Sequence, residues 1–188
     1  TTASSTTLET NAAKLSTSSG SKNGSSSSSG DTYTVAQIAE QCKSSVVAIT
    51  NQSVQEVQTM FGTMQQQSTG SGSGVIIGKN DTELLIATNN HVVSGAESLT
   101  VCFNDDKDAV FDAKIKGTDA DNDLAVIAIK LSDISEDVLN SISVATLGDS
   151  TQMEVGDQVV AIGNALGFGQ SVTSGVISAL DREVTIDD

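Results

Sequence analysis

The chain has 188 residues and a formal net charge of −15, with 37% hydrophobic and 3% aromatic residues and neither proline nor tryptophan. That length holds one domain or one and a fraction. Nine basic residues against 24 acidic ones exclude a nucleic-acid or anionic-membrane surface, because both need clustered Lys and Arg.

Residues 1–30 contain 11 Ser, 6 Thr and 3 Gly, too little apolar surface to offset the entropy of ordering. Residues 1–31 are therefore expected to form a disordered Ser/Thr/Gly-rich linker. Two readings stay open for it: an ordinary disordered end, or a spacer holding a folded domain away from a surface. The chain starts at Thr1 with no charged segment before an apolar core, so any signal or anchor is expected upstream. The longest apolar runs, such as Leu124–Ile129, are far shorter than the roughly 20 residues of a membrane span.

Residues 32–188 are expected to form the folded domain. Val35, Ile38, Ala39 and Cys42 recur at helical spacing after Thr32 or Thr34 as N-cap, which predicts a short helix. Eight Val- and Ile-rich segments follow, separated by Gly, Asn, Asp and Ser: 45–50, 74–78, 83–88, 98–103, 110–116, 124–130, 158–163 and 171–180. Eight strands at this spacing with one short helix predict an all-β barrel or sandwich. Phe111–Ile115 alternates as a strand with one wet face does. Leu124–Ile129 and Val159–Ile162 are apolar throughout, predicting strands covered on both sides. Residues 55–72, with Met60-Phe61-Gly62 and Gln65-Gln66-Gln67, carry no such pattern and are expected to be a long mobile loop.

Cys42 and Cys102 form no CxxC or Cys/His cluster, so neither a disulfide framework nor a zinc site is expected. They are expected to be small buried hydrophobes. The acidic run Asp119-Ala120-Asp121-Asn122-Asp123 is not a calcium loop, because Leu124 and Lys130 stand where an EF-hand needs Gly and Glu. Gly163, Gly167 and Gly169 do not form GxGxxG, and no phosphate-cradling loop is present.

The chemistry points to one imidazole. His91, the single histidine, follows the predicted strand ending at Thr88. Asp123 stands at the mouth of an apolar strand about thirty residues on. A carboxylate so placed can hold an imidazole in one tautomer and stabilise the imidazolium formed when it takes a proton. The plainer alternatives are an exposed histidine and a turn aspartate.

Six blocks resemble the HtrA/Deg family of trypsin-like serine proteases, in family order, over residues 33–182. They are Gly72-Ser73-Gly74-Val75-Ile76-Ile77, Thr88-Asn89-Asn90-His91-Val92-Val93, Asp123-Leu124-Ala125-Val126, Leu147-Gly148-Asp149-Ser150, Gly156–Asn164 and Val172–Leu180. The resemblance implies a trypsin-like double β-barrel, the first barrel complete and the second truncated, with the active site between them. It implies His91 as general base and Asp123 as the residue orienting it. The nucleophilic serine is expected in a Gly-Asn-Ser-Gly-Gly turn beyond Asp188. Ser150 is followed by Thr151 and Gln152, not by the glycines that let an oxyanion-hole backbone turn tightly, so it is read as a turn residue. Asn90 and Ala165 replace the Ala and Pro of many relatives without touching a catalytic group.

What the resemblance implies further is an incomplete serine endopeptidase that degrades unfolded or damaged extracytoplasmic proteins. No metal and no cofactor are expected, and the residues lining its substrate site are not assigned. A homotrimer is implied, built through the Asp31–Cys42 helix and residues 55–72, with membrane attachment only through an upstream anchor. The rival is a non-catalytic pseudoprotease or chaperone-like module that binds polypeptides. A purely structural β-domain would instead leave His91 and Asp123 more than about 6 Å apart.

Overall fold

A computed structural model describes residues 33–59, 62–104, 106–164 and 169–182. The linker expected over residues 1–31 and the dipeptide Met60-Phe61 lie outside the described residues.

Helix α1, Val35–Cys42, starts at a capping box. The Gln37 amide N–H donates to Thr34 Oγ1 at 3.2 Å, and the Thr34 N–H donates to Gln37 Oε1 at 2.9 Å, satisfying two of the donors a helix start leaves open. Ile38 is its buried residue.

Six antiparallel strands then close a barrel: β1 Val46–Thr59, β2 Gly62–Lys79, β3 Glu83–Thr88, β4 Ser98–Phe103, β5 Val110–Asp119 and β6 Leu124–Lys130, in the order β1-β2-β3-β6-β5-β4. Period-2 alternation fills it. Val47 and Ile49 of β1, Ile76 of β2, Leu84 and Ile86 of β3, Val101 and Phe103 of β4, and Ile127 and Ile129 of β6 are all at most 1% exposed. Phe103 meets Phe111 of β5 with ring centroids 5.8 Å apart and tilted by 50°, a favourable aromatic arrangement. A register shift between Ile76 and Gly78 in β2, and another between Ile115 and Gly117 in β5, supply the local twist that a closed barrel needs.

A short helix α2, Asn90–Val93, leaves β3, and α3, Glu136–Ser141, follows β6. The chain then runs back along the barrel, with the Ser143 N–H bonded to the Ser44 carbonyl and the Ala145 N–H to the Ile76 carbonyl. Strands β7, Gln158–Gly163, and β8, Ser171–Val176, form a separate antiparallel pair. The Gln170 side-chain amide ties this second unit to the first through the carbonyls of Lys43 and Val46, at 2.9 and 3.0 Å.

All eight expected strands are present, and the barrel is chosen over the sandwich. Residues 55–59 and 62–72 are the main correction: they belong to two strands, not to a loop. β1 and β2 pair continuously from Val46↔Val75 to Thr59↔Gly62, whereas β4 accompanies β1 only as far as Gln52↔Ser98. Beyond that point the backbones of β1 and β2 pair with each other. Helices α2 and α3 are additional to the one helix expected. β6 is covered as expected from Ala125 to Ile129, but Leu124 is 55% exposed. β7 is only half-buried, because among the described residues β8 is its one paired strand. Cys42 and Cys102 form no disulfide among the described residues and are half-buried rather than buried.

Candidate active site

His91 is the second residue of α2, a helix of four residues. So short a helix does not persist on its own, because one turn fixes more dihedrals than its hydrogen bonds repay. Its position is set from outside. At its N-terminal end the backbone N–H of His91 donates to Asp123 Oδ1 at 2.9 Å, and the side-chain amide of Asn89, the N-cap, donates to the Asp123 carbonyl at 3.0 Å. Beneath it lies Gly72 of β2, where any Cβ would come within 2.6 and 2.7 Å of the Val92 methyl carbons. Only glycine lets α2 sit this close to the sheet. Thr88, just before the helix, is buried and donates its hydroxyl to the Ser73 carbonyl at 2.8 Å.

Asp123 arrives from the β5–β6 hairpin. Asp119 closes the turn by accepting the Asn122 backbone N–H at 3.1 Å and its side-chain amide at 2.7 Å. Asp123 then adopts φ +50°, a left-handed conformation that Asp tolerates better than most residues. Its second oxygen, Oδ2, accepts the His91 Nδ1–H at 2.7 Å. The two residues named from the sequence are therefore in direct contact, far inside the separation that a purely structural domain would show.

The carboxylate bonds both the backbone and the ring of one residue, so it fixes where the imidazole stands as well as which way it faces. Its side chain is 15% exposed and that of His91 is 65% exposed. The His91 backbone N–H, helped by the ring, holds the Asp123 carboxyl below the usual carboxylate range against an opposing effect of desolvation. Asp123 thus stays ionised beside the ring across the neutral range. With Nδ1–H committed to Asp123, Nε2 is the basic nitrogen, and among the described residues no hydroxyl is bonded to it.

Ser150 begins a 3-10 turn, Ser150–Gln152, and is exposed. The carboxylate beside it serves the turn itself, with Asp149 Oδ1 accepting the Thr151 backbone N–H at 3.0 Å and its hydroxyl at 2.6 Å. This agrees with a turn residue. Among the described residues no group of His, Cys, Asp and Glu could hold a metal ion.

Residues 72–188 match the trypsin-like peptidase domain. The chain belongs to the trypsin-like peptidase family, in its HtrA/Deg branch. It is 38% identical over 163 residues to the serine protease Do-like HtrA of Bacillus subtilis (strain 168), covering 83% of this chain and 34% of that protein. It is 42% identical over 113 residues to the periplasmic pH-dependent serine endoprotease DegQ of Escherichia coli (strain K12), covering 60% of this chain and 22% of that one. Among solved structures, an HtrA-type protease AlgW with decapeptide superposes with a TM-score of 0.60 at 29% identity, over 80% of this chain and 47% of that chain. The HtrA/Deg chain described here thus spans about a third or less of the length of these two curated relatives.

Sequence reasoning singled out His91 and Asp123 but not the residues that hold them. Asn89 was visible only as part of a block. Gly72 carried no sign that Val92 would lie on it, since that contact joins a strand to a helix some twenty residues later.

Proposed function

We propose that this chain supplies the base and the orienting acid of an extracytoplasmic serine endopeptidase. The observation that carries the reading is the doubly bonded Asp123 carboxylate, on the His91 backbone and on its ring nitrogen at 2.7 Å. His91 Nε2 takes the proton of a serine hydroxyl as that oxygen attacks a peptide carbonyl. Asp123 keeps the proton on Nδ1 and stabilises the imidazolium. His91 then protonates the leaving amine, and water hydrolyses the acyl-enzyme by the same base.

The serine comes from the part of the relatives' length that this chain does not span, in a Gly-Asn-Ser-Gly-Gly turn. Unfolded or damaged polypeptides are the substrates, a homotrimer the assembly, and residues 1–31 a tether between an upstream membrane anchor and the domain beginning at residue 32. The periplasmic DegQ relative supports an extracytoplasmic setting. Among the described residues no helix is long and apolar enough to cross a membrane.

Hydrolysis of a casein-type substrate tests this. Residues 1–188 alone give no turnover. Joined to a segment carrying the Gly-Asn-Ser-Gly-Gly turn, the chain hydrolyses casein, and His91→Ala lowers kcat about 10⁶-fold. Turnover by residues 1–188 alone, abolished by His91→Ala, would put the nucleophile within the chain, with Ser150 the first candidate. No hydrolysis even by the longer polypeptide would favour the non-catalytic, polypeptide-binding alternative.

A further inference from the structure

Along β1, Val47, Ile49 and Asn51 point into the barrel at successive inward positions, with exposures of 1%, 0% and 7%. The third is a primary amide where the pattern calls for an aliphatic residue. Its Nδ2 donates twice, to the Val92 carbonyl at 2.9 Å and to the Ser94 carbonyl at 3.2 Å. These carbonyls belong to the last turn and the C-cap of α2. Its Oδ1 is buried and has no partner among the described residues.

A buried acceptor without a partner costs about 1–3 kcal/mol. Turning the amide over would not remove that cost, because Oδ1 would then face two carbonyl oxygens. The side chain is therefore explained by its donors, not by its packing. Helix α2 is held at its N-terminal end by Asp123 and at its C-terminal end by Asn51, each meeting backbone groups that a four-residue helix cannot satisfy internally.

We propose that Asn51 is a positioning residue for His91: its side-chain amide clamps the C-terminal carbonyls of α2, so that the helix keeps the imidazole against Asp123. This rests on the reading of His91 as the general base. Asn51 lies in the strand before β2, touches neither ring nor carboxylate, and acts only through the helix backbone.

Because His91 is the only histidine, its ring signals in long-range proton–nitrogen spectra need no assignment. The 188-residue chain and its Asn51→Leu variant are compared. Leucine suits the apolar row, so the barrel persists while both donors are lost. The expected result is loss of the downfield Nδ1–H signal of the His91–Asp123 contact. Amide exchange at His91 should also be at least tenfold faster, with the β3 and β6 amides unchanged. Asn51→Thr is the second variant, compatible with a strand but too short to reach both carbonyls, and it should behave alike.

A folded variant of either kind that keeps the wild-type signal and exchange rate overturns the proposal. So does unfolding of both, which would make Asn51 a residue of the fold alone. Absence of peptide hydrolysis by the longer polypeptide carrying the Gly-Asn-Ser-Gly-Gly turn, with the ring signal intact, would count against the protease reading and leave the clamp standing. Loss of the signal in the Asn51 variants supports the clamp whether or not hydrolysis is ever seen.

Discussion

Replacing Gly72 by alanine isolates the contact on which α2 rests. The added carbon would meet Val92 Cγ2 at 2.6 Å, Cγ1 at 2.7 Å and Cβ at 3.2 Å. Val92 is β-branched and cannot swing both methyls clear, so the helix must lift. Overpacking of this kind costs about 1–3 kcal/mol. Alanine also removes unfolded-state freedom worth about 0.4–1 kcal/mol at a position that is not left-handed. The net loss is about 0–2.6 kcal/mol, or a Tm lower by up to about 10 °C for a folded region of this size. In a Val92→Ala background both clashing methyls are gone and only the 3.2 Å contact remains. There, Gly72→Ala should be neutral or slightly stabilising. The double-mutant cycle, read by thermal and urea unfolding, should therefore show coupling of at least about 1 kcal/mol, beyond the ~0.5 kcal/mol error of additivity. Gly74→Ala is the control, because its carbon would strike Ile86 at 2.7 Å and Ile49 at 2.8 Å. It should destabilise without rescue by Val92→Ala. Equal penalties for Gly72→Ala in both backgrounds would refute the claim that Gly72 exists to seat the helix.

Phe103, fully buried and in tilted contact with Phe111, should cost about 3–5 kcal/mol on replacement by alanine; a loss below about 2 kcal/mol in urea unfolding would show that the barrel centre is not the core assigned to it. Asp149 is held below the usual carboxylate range by the hydroxyl of Thr151, the side chain of Gln152 and the Thr151 backbone. A lowered folded-state pKa stabilises above the unfolded value and ceases to do so as pH falls through the folded one. The stability difference between the native chain and Asp149→Ala should thus be constant above about pH 5 and shrink below pH 4; a difference that grows on acidification would reverse the sign of the argument.

The strands that follow the barrel's apolar rhythm were legible in the sequence. Runs of Val, Ile and Leu mark β3, β4 and β6 of the barrel, and they mark β7 outside it in the same way. The outer halves of β1 and β2 were not, because Ser53, Gln66 and Gln67 lie outside the apolar rhythm, although the two backbones pair there. The end of β5 escaped for the same reason, with Thr118 and Asp119 paired to Ala125 and Leu124 as part of a polar extension. His91 was legible as the single histidine, at a strand boundary, and Asp123, one of 16 aspartates, by its place at the mouth of an apolar strand. Asn51 was hidden by its context: a polar residue at the end of an apolar row reads as the end of the row, and nothing in a one-dimensional pattern shows that two carbonyls some forty residues later need its protons.

The meeting of base and acid follows from one strand register. β3 and β6 pair antiparallel with Thr88 opposite Ala125. His91 lies three residues past Thr88, and Asp123 two residues before Ala125, so both chains leave the sheet at the same edge and on the same side. Within that ladder Ile86 pairs with Ile127 and Leu84 with Ile129, and all four are at most 1% exposed. A slip of either strand by one residue would turn its two side chains, Leu84 and Ile86 or Ile127 and Ile129, out to solvent. At about 1.5–3 kcal/mol for each large aliphatic residue left exposed, such a slip would cost more than any local contact at the site could return. The hydrophobic core thus sets the distance between His91 and Asp123, and the polar contacts from Asp123, Asn89 and Asn51 only refine it. Every strand in that argument belongs to the first barrel, so the pair forms without any contribution from β7 or β8.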